Sequence, residues 1–159
     1  FVTGGIAGPG GATLAGTGTV WFVAANSCTG ATTLAAGTLR LSASERVADA
    51  SPLRLVAGTL LLNGLSETAG SLDVDGAAVI DFGGGAATLR LADSAAETWG
   101  GTVLLRNWTS GADHLYVGTS ATLSEAQLAK ILSPSGQKAA QRADGEVVLL
   151  PLGTLVTVR

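Results

Sequence analysis

A short phrase recurs along the chain: a small residue, then Thr or Ser, then an aliphatic residue. The first three copies begin at Gly18, Gly37 and Gly58, and the two intervals between them are nearly equal. Later copies follow at irregular intervals and begin at Gly70, Ala87, Gly101 and Gly153. A repeat of about twenty residues is typical of solenoids, because a unit of that size must stack on its neighbours to bury its apolar face. The phrase therefore predicts a β-solenoid, and it favours a structural or surface role over an enzymatic one.

The composition indicates a folded chain and argues against two classes of function. Hydrophobic residues make up 47% of the 159 positions and charged residues only 13%, which is not the balance of a disordered chain. The net charge of −3 comes without a basic cluster, so we expect no nucleic-acid binding. No run of about 18 apolar residues occurs, so we also expect no membrane-spanning helix. Cys28 is the single cysteine, which predicts neither an internal disulfide nor a structural zinc site.

Alternating apolar and polar residues predict short strands separated by glycine. The clearest strand is 37–42, where Leu39 and Leu41 point to the same side. Residues 29–33 are interpreted as a polar turn and residues 44–52 as an outward loop. We predict an all-β fold, a right-handed parallel β-helix. Turn signals every 8–12 residues or so are also compatible with an Ig-like or pilin-like β-sandwich, which stays the alternative.

One segment departs from the strand pattern and predicts a short α-helix near the C-terminal end. Ser124 and Gln127 have the spacing of a capping box, and the segment from Ser124 to Leu132 has one apolar face. Pro134 ends the helical pattern. A single amphipathic helix at this place is expected to cover the end of a solenoid.

The whole chain, residues 1–159, is predicted to form a single domain. Its expected parts are an edge strand or arm at 1–15, repeat strands at 16–118, a capping helix within 122–133 and terminal strands at 145–159. The repeat strands are therefore expected to lie between an N-terminal edge strand or arm and a C-terminal region that contains the helix and the terminal strands.

Four short motifs follow one another within residues 16–41: Ala25-Asn26, Thr29-Gly30, Thr32-Thr33 and Ala36-Gly37-Thr38-Leu39. In this order they resemble the autotransporter-associated β-strand repeat, from which Trp21 and Cys28 depart. The closing part, 101–151, is similar to the end of such repeat regions in secreted bacterial proteins. The resemblance implies a right-handed parallel β-helix on the outside of a Gram-negative bacterium. It brings no catalytic residues, because the repeat is a scaffold.

The polar residues do not match a catalytic or metal-binding motif. His114 is the only histidine, and Asp113 beside it on a strand points to the opposite face, so the pair does not predict a hydrolase triad. Asp73 and Asp75 share a face as calcium ligands do, but the remaining oxygen ligands of a calcium loop are missing. We therefore predict no enzymatic activity, no catalytic residues, no cofactor and no metal.

The alternative function is a carbohydrate-binding or adhesin module on a β-helix, with a glycan as partner. A sugar-stacking platform would use the three tryptophans, Trp21, Trp99 and Trp108. Burial of these rings as core anchors is favoured, because other aromatic residues are few. Polysaccharide-acting β-helices place basic residues in an outer groove, and the candidates for one shared outer face are Arg40, Arg54 and Arg90. Surface solubility is the simpler explanation of these arginines.

One or both ends of the chain are predicted to take part in assembly. Residues 1–7 are apolar and glycine-rich, and residues 154–158 alternate as a strand does, so either end is expected to pair with a neighbouring copy. The candidate assembly residues are the apolar ones at the two ends: Phe1, Val2, Ile6, Leu155, Val156 and Val158. Head-to-tail pairing of this kind gives a filament. The sequence therefore predicts an extracellular structural protein, either a self-associating subunit or a stalk segment of a surface protein.

Overall fold

The fold, taken from a computed structural model, is described for residues 1–153 and is almost entirely β-structure. The strands are β1 Ala7–Gly8, β2 Ala12–Leu14, β3 Thr19–Phe22, β4 Ser27–Cys28, β5 Thr32–Leu34, β6 Thr38–Leu41, β7 Leu53–Leu55, β8 Gly58–Leu61, β9 Ser66–Ala69, β10 Leu72–Val74, β11 Ala77–Asp81, β12 Thr88–Leu91, β13 Thr102–Arg106, β14 His114–Val117, β15 Ile131–Leu132, β16 Ala139–Gln141 and β17 Glu146–Leu149. One short helix, α1 Glu125–Leu128, lies between β14 and β15.

Successive strands follow one another around three sides of a coil, and the coils stack in parallel. The first side is a six-stranded sheet in the order β15-β13-β11-β8-β6-β3, and the second is a four-stranded sheet in the order β10-β7-β5-β2. The third side holds the pair β1-β4 and the five-stranded sheet β16-β17-β14-β12-β9. Only the pairs of β17 are antiparallel within the described part of the chain. The expected parallel β-solenoid, of about five turns with one short helix, is confirmed.

The repeated phrase sets the register of the first side. Thr19, Thr38 and Thr59, the central residues of the first three copies, are direct partners in adjacent strands. The copies at Gly70 and Ala87 begin strands on other sides, since Leu72 starts β10 on the second side and Thr88 starts β12 on the third, whereas the copy at Gly101 begins β13 on the first side. The irregular later intervals therefore come from the same strand-start phrase being used on different sides of the coil.

An apolar core built mainly from leucine runs along the axis of the stack. Every second side chain of a strand points inward, as in β7, where Leu53 and Leu55 are fully buried and Arg54 is exposed. Consecutive coils place these inward residues in line, so that Leu34, Leu55 and Val74 are direct partners on the second side. Each coil thus buries its apolar face against the coils before and after it, as the repeat length requires.

Side chains close the C-terminal end of the second side. The edge of β10 bonds to the loop that follows β12: Ser94 Oγ accepts from the Leu72 amide at 2.8 Å, and Trp99 Nε1 donates to the Leu72 carbonyl at 2.8 Å. Gln127 of α1 lies next in line, and its side-chain amide donates to the carbonyls of Ser94 and Glu97. The helix therefore bonds to the loop that lies against the edge of β10. On the third side, β17 runs antiparallel to β14 and ends the parallel ladder.

The predicted helix is longer than the one observed. Its capping box is confirmed, because the Ser124 hydroxyl accepts from the Gln127 amide and the Gln127 side chain accepts from the Ser124 amide. The helix ends at Leu128, however, and Ile131–Leu132 pairs with β13 as β15. The chain joins the first side here, since the Val103 amide donates to the Lys130 carbonyl at 2.9 Å and Ile131 pairs with Val103.

One other segment differs from the expectations, and the two end regions are placed as follows. The predicted turn at 29–33 contains the start of β5, because Thr32 turns inward and its hydroxyl lies 3.0 Å from that of the buried Ser51. Residues 1–15 contain β1 and β2, which lie at the edges of the third and second sides. The terminal region predicted at 145–159 contains β17, and its last part, 154–159, lies outside the described part of the chain.

Candidate functional site: the N-terminal end of the coil stack

The N-terminal end of the stack presents strand edges on all three sides. Val2 bridges to Phe22 on the first side, β2 pairs with β5 on the second, and β1 pairs with β4 on the third. Within residues 1–153, no strand pairs with the far edge of β1 or β2. Edges of this kind accept additional strands through their backbone N–H and C=O groups. We call this surface, formed by residues 1–18, the open end.

Glycines before the strands mark where one coil lies directly against another. A Cβ on Gly37 would lie 2.3 Å from the carbonyl oxygen of Gly16, and a Cβ on Gly58 would lie 2.5 Å from that of Gly37. Only glycine allows backbones to approach so closely. Gly18 holds the same place in the first coil, yet nothing lies within 4 Å of a Cβ built on Gly16 or Gly18. A Cβ at Gly16 or Gly18 would therefore meet no neighbouring backbone, although the carbonyl oxygens of both glycines lie close to Gly37 of the next coil.

The open end carries no charged side chain. The first charged side chain of the sequence is Arg40, so none of the 9 basic and 12 acidic side chains lies before it. Proteins usually protect edge strands with charge or with proline, and Pro9 is the single proline of this region. An uncharged partner can therefore cover this surface without burying an unpaired charge.

The N-terminal candidates for assembly, Phe1, Val2 and Ile6, all lie in the open end. Val2 donates its amide to the Trp21 carbonyl at 2.8 Å, and the Ile6 carbonyl accepts from the Ser27 amide at 2.8 Å. The side chains of Val2 and Ile6 pack against the core, whereas Phe1 is 83% exposed. These residues thus belong to the first coil of their own chain and display its edge. The C-terminal candidates, Leu155, Val156 and Val158, lie outside the described residues.

Trp21 lies on the outside of the first side between two neighbours. The ring of Phe1 is 5.3 Å from it, centroid to centroid, and the guanidinium carbon of Arg40 lies 4.2 Å from the centroid of the indole ring. A second cation–aromatic pair occurs on the third side, where Arg90 lies 4.1 Å from the ring centroid of Tyr116. Both arginines belong to a Thr-Leu-Arg-Leu motif. In each copy the arginine points outward and contacts an aromatic residue of the adjacent strand.

The other two tryptophans lie far from Trp21. Trp99 is buried beside β10, with 3% of its surface exposed. Trp108 packs edge-on against the buried Phe82, with ring centroids 4.8 Å apart. It follows β13, which is four strand spacings from β3, a distance of about 19 Å. The structure therefore places the three rings at separate positions.

The three arginines that were candidates for one outer face lie on three different sides. Arg40 is in β6 on the first side, Arg54 in β7 on the second and Arg90 in β12 on the third. The expectation of a shared face is wrong, because β6, β7 and β12 lie on three different sides of the coil. Arg54 instead bonds to Asp75 and lies 3.6 Å from Asp73, so these carboxylates pair with a cation.

Asp113 and His114 point in opposite directions, as the strand geometry predicts. Asp113 is buried, and its carboxylate accepts backbone hydrogen bonds from Ala87 at 2.9 Å and Thr109 at 2.6 Å. His114 lies on the outside, with Nδ1 2.6 Å from Glu146 Oε1, and the other oxygen of Glu146 bonds to Arg142. The carboxylate of Asp113 thus holds a corner of the coil, and it does not orient the histidine.

Sequence reasoning missed a second buried corner carboxylate, Glu67 in β9. Its two oxygens accept from the amides of Arg46 and Val47 at 2.9 and 2.8 Å, across one coil boundary. Burial raises the pKa of Glu67 to about 7, and the two amide bonds oppose this rise. Glu67 is a charged residue at an inward-facing strand position. This position is recognised only when Glu67 is aligned with its partner Leu89 in the adjacent strand.

Comparison with known proteins finds no matching family model, no matching curated protein and no matching solved structure. No helix within residues 1–153 has the length and apolar character needed to cross a membrane. The same residues contain no group of three or more His, Cys, Asp and Glu side chains arranged to hold a metal ion.

Proposed function

We propose that the chain is a non-catalytic structural element of a protein on the outer surface of a Gram-negative bacterium. The surface that serves this role is the open end, on which a further β-solenoid coil stacks. The observation that carries this proposal is the contact geometry of Gly16 and Gly18. A Cβ built on either glycine touches nothing within 4 Å, whereas a Cβ built on Gly37, one coil later, would clash with the carbonyl oxygens of both. The resemblance of residues 16–41 to a surface-protein repeat supports the extracellular location.

Stacking through the open end supports structural roles of two kinds. A coil supplied by another copy would build an assembly, and a coil supplied by a longer polypeptide would build a stalk. Both use the same uncharged edges, and both lengthen the parallel ladders of the three sides.

Labelling of intact cells of the source organism tests the location. Antibodies raised against the folded domain are expected to label intact cells as strongly as permeabilised cells. Labelling that appears only after permeabilisation would exclude a surface role. The non-catalytic part is tested by incubating the purified chain with acidic polysaccharides. Turnover that disappears in His114→Ala or Arg90→Ala would replace the structural role with an enzymatic one.

Glycan binding is the second candidate function, and a shallow pocket on the third side favours it. The pocket has a volume of about 270 Å³ and is lined by Tyr116, Arg90, Asp93, Thr119 and Ser120 among others. An aromatic ring beside hydroxyl and charged groups is the kind of surface that orients a polar ligand. Saturable binding on a glycan array that is lost in Tyr116→Ala would establish this function.

A further inference from the structure

We propose that the segment 44–49 is a pH-sensitive joint in the third side of the coil, which opens locally when the carboxyl group of Glu67 loses its proton. We call this segment the joint. It lies inside the stack, so its opening depends neither on what covers the open end nor on where the protein is located.

The strand ladder of the third side is interrupted at the joint. β1 pairs with β4, and β9 begins the five-stranded sheet, but no strand of the described chain lies between β4 and β9. The joint occupies this gap: the Asn26 amide donates to the Arg46 carbonyl at 3.3 Å, and the Glu45 amide donates to the Ser66 carbonyl at 3.2 Å. The other two sides are continuous through the same coil, since β6 pairs with β8 and β5 pairs with β7. The third side is therefore held together here without a strand.

Carboxyl side chains make bonds that a strand would make elsewhere in the stack. Glu67 of β9 is buried, and its two oxygens accept from the amides of Arg46 and Val47 at 2.9 and 2.8 Å. In the reverse direction, the Glu45 carboxylate accepts from the amide and from the hydroxyl group of Thr68, both at 3.2 Å. The contact between the joint and β9 therefore depends on the protonation of a buried side chain, whereas a backbone ladder does not titrate.

The surroundings of Glu67 disfavour its charged form. Within the described chain no Lys, Arg or His side chain forms an ion pair with Glu67, and the guanidinium group of Arg46 bonds to the Glu45 carbonyl instead. The charged groups that act on Glu67 from the joint include the carboxylates of Glu45 and Asp49, and β12 places Leu89 opposite it. Burial is the main cause that raises the pKa of Glu67 to about 7, and these two negative charges add to the rise.

The closed joint has two further unfavourable features. Glu45 has a φ of 55°, in the left-handed region that favours glycine. Nε of Arg46 is buried, and it has no hydrogen-bond partner within the described chain. Opening relieves both features and lets water reach the Glu67 carboxylate. The open joint is therefore favoured when Glu67 is ionised, and the closed joint is favoured when Glu67 is protonated.

Amide hydrogen exchange of the whole chain, expressed as protection factors, tests the proposal at a series of pH values. The amides of Arg46 and Val47 report on the joint directly, because both donate to Glu67. Their protection is expected to fall by up to about 300-fold as the pH rises from 4.5 to about 7, and then to level off. Low concentrations of urea should leave their protection unchanged, because a local opening exposes little surface. The protection of Ile80 in β11 should fall in the same urea series.

Two matched variants control for the loss of a carboxyl group. Glu67→Gln does not titrate, so the protection of Arg46 and Val47 should no longer depend on pH, although it is lower than in the unaltered chain at acidic pH. Glu125→Gln removes an exposed carboxylate of α1 and should follow the unaltered chain. Three results would overturn the proposal: protection in the unaltered chain that does not change with pH, the same fall in Glu67→Gln, or equal urea dependence at Val47 and Ile80. The last result would show that these amides exchange only when the whole chain unfolds.

Discussion

At the residue scale, a buried carboxylate makes the stability of this fold depend on pH. Burial raises the pKa of Glu67 from 4.5 to about 7 in the folded chain. Between these two values the folded state binds more protons than the unfolded state, so stability falls as the pH rises. The contribution of Glu67 is fully present below about pH 4.5 and is lost as the pH passes through about 7.

We expect the free energy of unfolding to fall by about 3 kcal/mol across this window, since one pKa unit corresponds to about 1.4 kcal/mol. The variant Glu67→Gln, which does not titrate, should lack this fall, although it loses one of the two amide bonds at every pH. Urea unfolding at a series of pH values measures both curves. The exposed Glu125→Gln serves as the control and should follow the unaltered chain. Parallel curves for Glu67→Gln and the unaltered chain would show that Glu67 titrates normally.

The residue scale also shows where sequence reasoning succeeds and where it stops. Alternation correctly placed Leu39 and Leu41 on the same side of their strand, where both are buried, because a strand determines side-chain direction over a few residues. It did not find Glu67 or the three-sided placement of the arginines. Both depend on which strands become neighbours one coil apart, and this follows from the corners of the coil rather than from any single strand.

At the element scale, the corner glycines set the distance between coils. A Cβ on Gly76 would lie 2.0 Å from the carbonyl oxygen of Val56, whereas a Cβ on Gly16 would touch nothing within 4 Å. We expect Gly76→Ala to destabilise the chain by about 3 kcal/mol or more, because the two backbones must move apart. Gly16→Ala should be neutral or stabilising by about 0.5 kcal/mol, because it restricts the unfolded chain. Thermal unfolding compares the two variants, and similar midpoints would contradict the contact assigned to Gly76.

The single-turn helix is hydrogen-bonded to the loop after β12 through one side chain, Gln127. Gln127 donates to two carbonyls of the loop that covers β10 and accepts from the amide of Ser124. Gln127→Ala leaves these buried groups unpaired and should cost about 2 kcal/mol. Glu125→Ala, on the exposed face of the same helix, should cost about 0.5 kcal/mol. Urea unfolding gives both values, and equal losses would mean that the helix contributes only its intrinsic stability.

The capping box of this helix was predictable because it is local, with both partners in the same turn. The end of the helix was not predictable, because Ile131–Leu132 pairs with β13, a strand that lies a whole coil earlier in the chain. The candidate site likewise combines features that the sequence predicts with features that depend on the neighbouring coil. Its glycine-rich, uncharged composition is visible in the sequence, but its unoccupied contact positions appear only when the first coil is compared with the second.

At the scale of the whole molecule, the protein is a one-dimensional stack with unlike ends. Each coil is stabilised mainly by the coil before it and the coil after it, so a coil with one neighbour is less stable than a coil with two. The first coil has one neighbour in the described chain, whereas the C-terminal end is covered by α1, β16 and β17. Unfolding is therefore expected to begin at the open end.

Residue-resolved amide hydrogen exchange, at a concentration low enough to keep the chain monomeric, tests this account most directly. Protection is expected to be lowest in β1 and β2, to rise through β5 and β6, and to be highest in β8, β11, β12 and β14. Uniform protection along the stack, or a minimum in β14 and β17, would contradict a stack that is open at its N-terminal end and closed at the other.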